Sequence, residues 1–124
     1  MSTVSLIAVV DDESRVLESL SGLLASFGYD VMPYLSAEAF LGSGEIHKVD
    51  CLISDIAMPG MNGIDLLASA LRLRPTLPVI IISGCPEKYW STLALKGGAR
   101  YFFEKPLDIP EFIAAIQDVL NVPR

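Results

Sequence analysis

Leu77-Pro78-Val79-Ile80-Ile81-Ile82 is the longest apolar stretch of the chain, and its reading decides the fold. Four β-branched residues in a row, Val79 to Ile82, favour a strand. An unbroken apolar run of this length fits a strand covered on both faces, as in parallel sheets flanked by helices. It is far short of the roughly 20 residues of a membrane span. If the reading holds, strand and helix should alternate on either side of it.

They do. Upstream, residues 50–54 read as a strand, followed by the turn-rich Met58-Pro59-Gly60-Met61-Asn62-Gly63 and a helix through Leu66, Leu67, Ala70 and Leu71 that stops before Pro75. Further upstream, residues 6–10 are a short apolar run. Ser14 is placed to cap a helix in which Val16, Leu17, Leu20, Leu24 and Phe27 recur at 3.6-residue spacing. Residues 30–34 read as a strand near a sheet edge, because Pro33 has no N–H for a central ladder. A short helix is expected over 36–41. Downstream of Ser83, a helix over 89–96 ends at Gly97-Gly98, and residues 101–103 form a short strand. A last helix from about Asp108 turns Ile109, Phe112, Ile113, Ile116 and Leu120 inward. Five alternations with connections this short imply right-handed βαβ units and a parallel α/β sheet.

Composition agrees with that frame and narrows the function. The chain has 124 residues, 52% of them hydrophobic and 19% charged, enough to bury a core as one domain over residues 1–124. The N-terminal apolar run has no Lys or Arg before it and leads into Asp11-Asp12-Glu13, which is not a signal peptide. A cytoplasmic setting is expected, with no membrane contact. A net charge of -6 and a pI near 4.6 argue against direct contact with nucleic acid. Cys51 and Cys85 belong at opposite ends of the sheet, too far apart for a disulfide, so free thiols are expected. The single histidine, His47, is expected in a polar loop, which leaves no basis for a Ser-His-Asp triad or a histidine zinc site.

In an open α/β sheet, ligands bind beyond the carboxyl ends of the strands. Strand one leads to Asp11 and Asp12, strand three to Asp55, strand four to Ser83 and strand five to Lys105. Three carboxylates, a hydroxyl and an ammonium therefore collect at one end. Carboxylates that close repel unless one protonates or a cation sits among them. Mg²⁺ suits such a set, being a hard ion that takes one or two carboxylates, waters and phosphate oxygens. A carboxylate left free can attack phosphorus to give an acyl phosphate, while the metal and a lysine stabilise charge on the moving phosphoryl group.

Val9-Val10-Asp11-Asp12-Glu13, Asp55 through Gly63, Ser83-Gly84 and Glu104-Lys105-Pro106, in this order, resemble the CheY-like receiver domains of bacterial two-component response regulators. The spacing from Ser83 through Gly98-Ala99 to Lys105-Pro106 is most similar to the FixJ-type branch. The resemblance covers essentially the whole chain. It implies a doubly wound (βα)5 three-layer fold with a five-stranded parallel sheet in the order 2-1-3-4-5. It also implies Asp55 as phosphoacceptor and Asp12 as a direct Mg²⁺ ligand, with Asp11 helping through water. The same resemblance implies the Ala57 carbonyl as a further ligand, Lys105 as the partner of the phosphoryl group, Ser83 as its reporter and Phe102 as the switch aromatic. A cis bond before Pro106 is expected. Phe102 lacks a hydroxyl, so a switch through it works by packing. Trp90 fits either the core or a protein-contact surface.

The partner implied is a sensor histidine kinase, and phosphorylation is expected to favour a homodimer through the fourth helix, fifth strand and fifth helix. FixJ-type members usually carry a DNA-binding output, so an output domain controlling transcription is expected to lie outside this chain, which ends at Asn121-Val122-Pro123-Arg124. The chain is expected to catalyse only its own phosphorylation and dephosphorylation. Three alternatives compete. A Mg²⁺-dependent aspartyl-phosphate phosphohydrolase usually has a second acid two residues after its nucleophile, where this chain has Ala57. An FMN carrier on the same fold needs a Ser/Thr/Gly-rich loop after strand one, where this chain has Asp-Asp-Glu. A receiver that only binds partners has no need of the full set of Asp11, Asp12, Asp55, Ser83 and Lys105.

Overall fold

The computed structural model describes residues 4–85 and 87–120. The elements are β1 (Leu6–Val10), α1 (Ser14–Ser26), β2 (Asp30–Tyr34), α2 (Ala37–Gly42), a 3-10 turn (Glu45–His47), β3 (Cys51–Asp55), α3 (Gly63–Leu73), β4 (Val79–Ser83), α4 (Tyr89–Lys96), β5 (Tyr101–Glu104) and α5 (Ile109–Leu120). All four strand pairings are parallel, in the order β2-β1-β3-β4-β5. The chain is thus α/β and doubly wound, with β2, the strand containing Pro33, on an edge. Lys105–Pro106 is cis. No helix among the described residues is long and apolar enough to cross a membrane.

Alternation along the strands builds two cores. Ala8, Val10, Leu52, Val79 and Ile81 face Phe40 of α2, Leu66, Leu67 and Ala70 of α3, and Ala94 of α4. Ile7, Val9, Cys51, Ile53, Ile80 and Ile82 face Leu17, Leu20 and Leu24 of α1 and Phe112, Ile113 and Ile116 of α5. β3 and β4 are buried at every position, which is why they read as continuous apolar runs. Each fully buried Leu or Ile contributes about 1.5–3 kcal/mol through its removal from water. The two layers hold the sheet rigid beneath its carboxyl end. β1 pairs with β2 on one side and β3 on the other, so strand order reverses there and opens a crevice at that end.

Several local expectations are corrected. Ser14 does not cap α1; it is the first helical residue, and Glu13 is an N-cap without a side-chain bond. The upstream turn is closed instead by Asp11, whose Oδ1 accepts from the Glu13 N–H at 2.9 Å. Phe27 lies at the α1 C-cap and is exposed, as is Ile109 at the start of α5, so neither joins the core. β3 runs one residue later than expected, which makes Asp55 its last residue, and β5 extends to Glu104. His47 ends the 3-10 turn and is exposed there. Cys51 and Cys85 are both free. The stretch Asn121-Val122-Pro123-Arg124 lies outside the described residues.

Candidate functional site

The strand ends deliver their polar residues to one place. Asp55 closes β3 with 6% of its surface exposed, and Asp11 follows β1 with 1%. Asp12 stands beside them in solvent. One oxygen from each of Asp11, Asp12 and Asp55 can be chosen so that all lie within 4.8 Å of one another. Lys105, carried by the turn after β5, reaches between the two buried carboxylates. Its Nζ is 3.5 Å from Asp11 Oδ2 and 3.6 Å from Asp55 Oδ1.

The two buried aspartates are not equivalent. Asp11 is engaged at both oxygens, Oδ1 by the Glu13 amide and Oδ2 by Lys105. Asp55 Oδ1 is buried and has no hydrogen-bond partner among the described residues, the ammonium lying just beyond bonding distance. A buried oxygen without a partner costs about 1–3 kcal/mol or more when charged. Burial pushes the Asp55 carboxyl up to about 6; Lys105 pulls it down, Asp11 pushes it up, and the backbone at Ile56 pulls it down. Asp55 therefore remains mostly ionised at neutral pH and is more basic than a solvated aspartate. An orphaned carboxylate oxygen, ringed by two more carboxylates, fits a hard divalent cation.

The loop beyond Asp55 is shaped for close approach. Gly63 opens α3 directly beneath it, and a Cβ there would collide with the Asp55 carbonyl oxygen. Its N–H donates to the Ile56 carbonyl at 3.0 Å, folding the loop back on itself. Ala57 is exposed two residues beyond Asp55. A cavity of about 390 Å³ lies alongside, bordered by Ala57, Met58, Asn62, Cys85 and Trp90. Trp90 is half-buried, packed against the α2–α3–α4 core on one side and against Tyr89 on the other, the two rings tilted by 36° with centroids 4.8 Å apart.

Ser83, the last residue of β4, is buried, and its hydroxyl is turned into its own loop. Oγ accepts from the Cys85 N–H at 3.0 Å and lies 3.4 Å from the Cys85 carbonyl. Phe102 is half-buried against the α2–α3–α4 core. The structure thus brings together Asp11, Asp12, Asp55 and Lys105, with Ala57 and Ser83 on the flanking loops. It separates Phe102, which sits on β5 behind them.

The chain is similar to known proteins over most of its length. Residues 7–117 match the family described as the response regulator receiver domain. The response regulator protein TmoT of Ectopseudomonas mendocina is 38% identical over 118 residues, covering 95% of this chain and 54% of that protein. The transcriptional regulatory protein FixJ of Azorhizobium caulinodans is 37% identical over 113 residues, covering 91% of this chain and 54% of its own length. The chain spans about half the length of the curated relatives it matches. Among solved structures, a response regulator receiver domain protein from Clostridium thermocellum superposes with a TM-score of 0.90 at 30% identity, covering 95% of each chain. The structure titled FixJ-N gives 0.86 at 33% identity, covering 100% of this chain and 99% of that one.

Proposed function

The chain belongs to the response regulator receiver domains of two-component systems, and on that footing we propose that Asp55 is its phosphoacceptor, loaded by a sensor histidine kinase in a Mg²⁺-dependent reaction. One observation carries the reading: the buried Asp55 oxygen without a partner, 3.6 Å from Lys105 and beside two further carboxylates. Asp12 and Asp55 are the carboxylates free to ligate the ion, with the Ala57 carbonyl as a further ligand. Asp11, already engaged at both oxygens, helps through water. Mg²⁺, when bound, neutralises charge on the transferring phosphoryl group.

The chain's own residues do the rest. An oxygen of Asp55 forms a bond to phosphorus while the bond from phosphorus to the donor's histidine nitrogen breaks. The raised basicity of Asp55 strengthens it as nucleophile without leaving it protonated at pH 7. Lys105 holds the phosphoryl oxygens by charge-assisted bonding. Ser83 gives up its bonds to Cys85 and turns to the phosphoryl group, which loosens the start of the β4–α4 loop. Phe102 follows by repacking, having no hydroxyl. Self-phosphorylation and self-dephosphorylation are the only chemistry, so the chain is a signalling module with no external product.

The readout is a second copy of the chain. α4 exposes Tyr89 and Leu93 one turn apart, and phosphorylation favours a homodimer through α4, β5 and α5. A cytoplasmic setting and an output acting on transcription complete the proposal. Intact-mass spectrometry after incubation with acetyl phosphate and Mg²⁺ tests it: one phosphoryl group added to wild type and none to Asp55→Asn. Equal labelling of that variant removes the assignment.

A further inference from the structure

The loop that leads away from Asp55 is secured at its far end by the Gly63–Ile56 bond and by the capping box of Asn62 and Asp65. Its tip is held from outside the site. Glu38, in the first turn of α2, accepts from the Met61 N–H through Oε2 at 3.1 Å. The neighbouring Gly60 has a φ of 75°, and a Cβ there would lie 2.7 Å from that same oxygen. The carboxylate occupies the space that a side chain at residue 60 would need. Contact with Gly60 and a bond to Met61 are two separate marks of one fit.

We propose that Glu38 is a positioning residue for phosphoryl transfer, clamping residues 57–61 so that the backbone beside Asp55 is ordered before the phosphodonor arrives. The inference rests on Asp55 being the phosphoacceptor. It adds a part of the machinery that lies on α2, a helix whose other named contacts belong to the core. Glu38 acts through the loop backbone, by geometry rather than by its charge. Orientation fixed in advance lowers the cost of reaching the reactive arrangement. A solvent-exposed hydrogen bond is modest in strength, so its removal slows the reaction without abolishing it.

The test compares the 124-residue chain as wild type, Glu38→Ala and Glu38→Gln, each first checked for folding by circular dichroism. The Gln side chain keeps an acceptor at the same reach and drops the charge. Labelling by acetyl phosphate in Mg²⁺ is expected to run roughly three- to tenfold slower in Glu38→Ala, the range one such bond supplies. Glu38→Gln should return to near the wild-type rate. Exchange of the Met61 amide, read by NMR, should speed up in the Ala variant alone. Wild-type labelling by Glu38→Ala, or equal slowing of the Ala and Gln variants, overturns the clamp. If wild type itself takes no phosphoryl group, the Asp55 reading fails and the positioning role falls with it; if wild type is labelled but Met61 exchange is unchanged in Glu38→Ala, the clamp alone is overturned.

Discussion

α3 and α4 pack side by side on one face of the sheet, the first following Asp55 and the second following Ser83, and are anchored by different means. α3 begins at a capping box, in which the Asn62 side chain accepts from the Asp65 N–H at 2.9 Å and Asp65 reaches back to the Asn62 N–H. It then buries Gly63, Leu66, Leu67 and Ala70. α4 begins at Lys88 with no side-chain cap and fully buries Ala94 alone, leaving Tyr89, Leu93 and Leu95 in solvent. Stability is spread unevenly through folds, and moving elements are drawn from its low end. The site therefore has a fixed wall behind Asp55 and a loosely held one behind Ser83. A signal written on Asp55 has an easier path into α4 than into α3.

The largest break in this contrast should come from core truncation. Leu66→Ala empties a fully buried position in α3 and should cost about 2–5 kcal/mol, whereas Leu93→Ala on α4 should stay within about 0.5 kcal/mol. Urea unfolding of both variants checks this. Comparable losses would show that α4 is anchored as firmly as α3.

Next in size is the strain stored at Asp55. Its carboxyl lies at about 6 in the fold and near 4 in an unfolded chain. Between those values the native state binds the extra proton, so wild-type stability falls as pH rises from about 4 to about 6. At roughly 1.4 kcal/mol per pKa unit, the cost at pH 7 is about 3 kcal/mol. In EDTA, Asp55→Asn should be more stable than wild type by up to that amount at pH 7. The gap should close as pH falls below about 4, and Mg²⁺ should narrow it at pH 7 by stabilising wild type. A gap independent of pH would place the strain elsewhere.

The smallest effect sharpens the comparison at the helix starts. Asn62→Ala removes the α3 cap and should cost about 1 kcal/mol. Lys88→Ala, at a position with no cap bond to lose, should change stability by only a few tenths. Thermal melts of the two variants check the pair.

Most of the frame behind this contrast was legible in the residues. Val79 to Ser83 announced a doubly buried strand, and the polar residues at or after the ends of β1, β3, β4 and β5 announced the cluster, because parallel strands place all their carboxyl ends together. What stayed hidden depends on contacts that a linear pattern does not carry. Ser14 looked like a cap, but the helix starts one residue earlier than that, with Glu13 at the N-cap and Ser14 already helical. Phe27 and Ile109 kept helical spacing yet fell at helix ends, outside the layer of packing. The turning of Ser83 toward Cys85 is a side-chain choice within one loop. Glu38 reads as one more exposed acid, and only the folded approach of α2 to Gly60 and Met61 gives it a task.

Amide hydrogen exchange, followed with and without acetyl phosphate in Mg²⁺, tests the contrast between the two walls most directly. The account predicts a change of protection upon phosphorylation at Cys85 and through α4, while α3 keeps the protection it had. Equal changes in α3 and α4, or a change confined to α3, would contradict it.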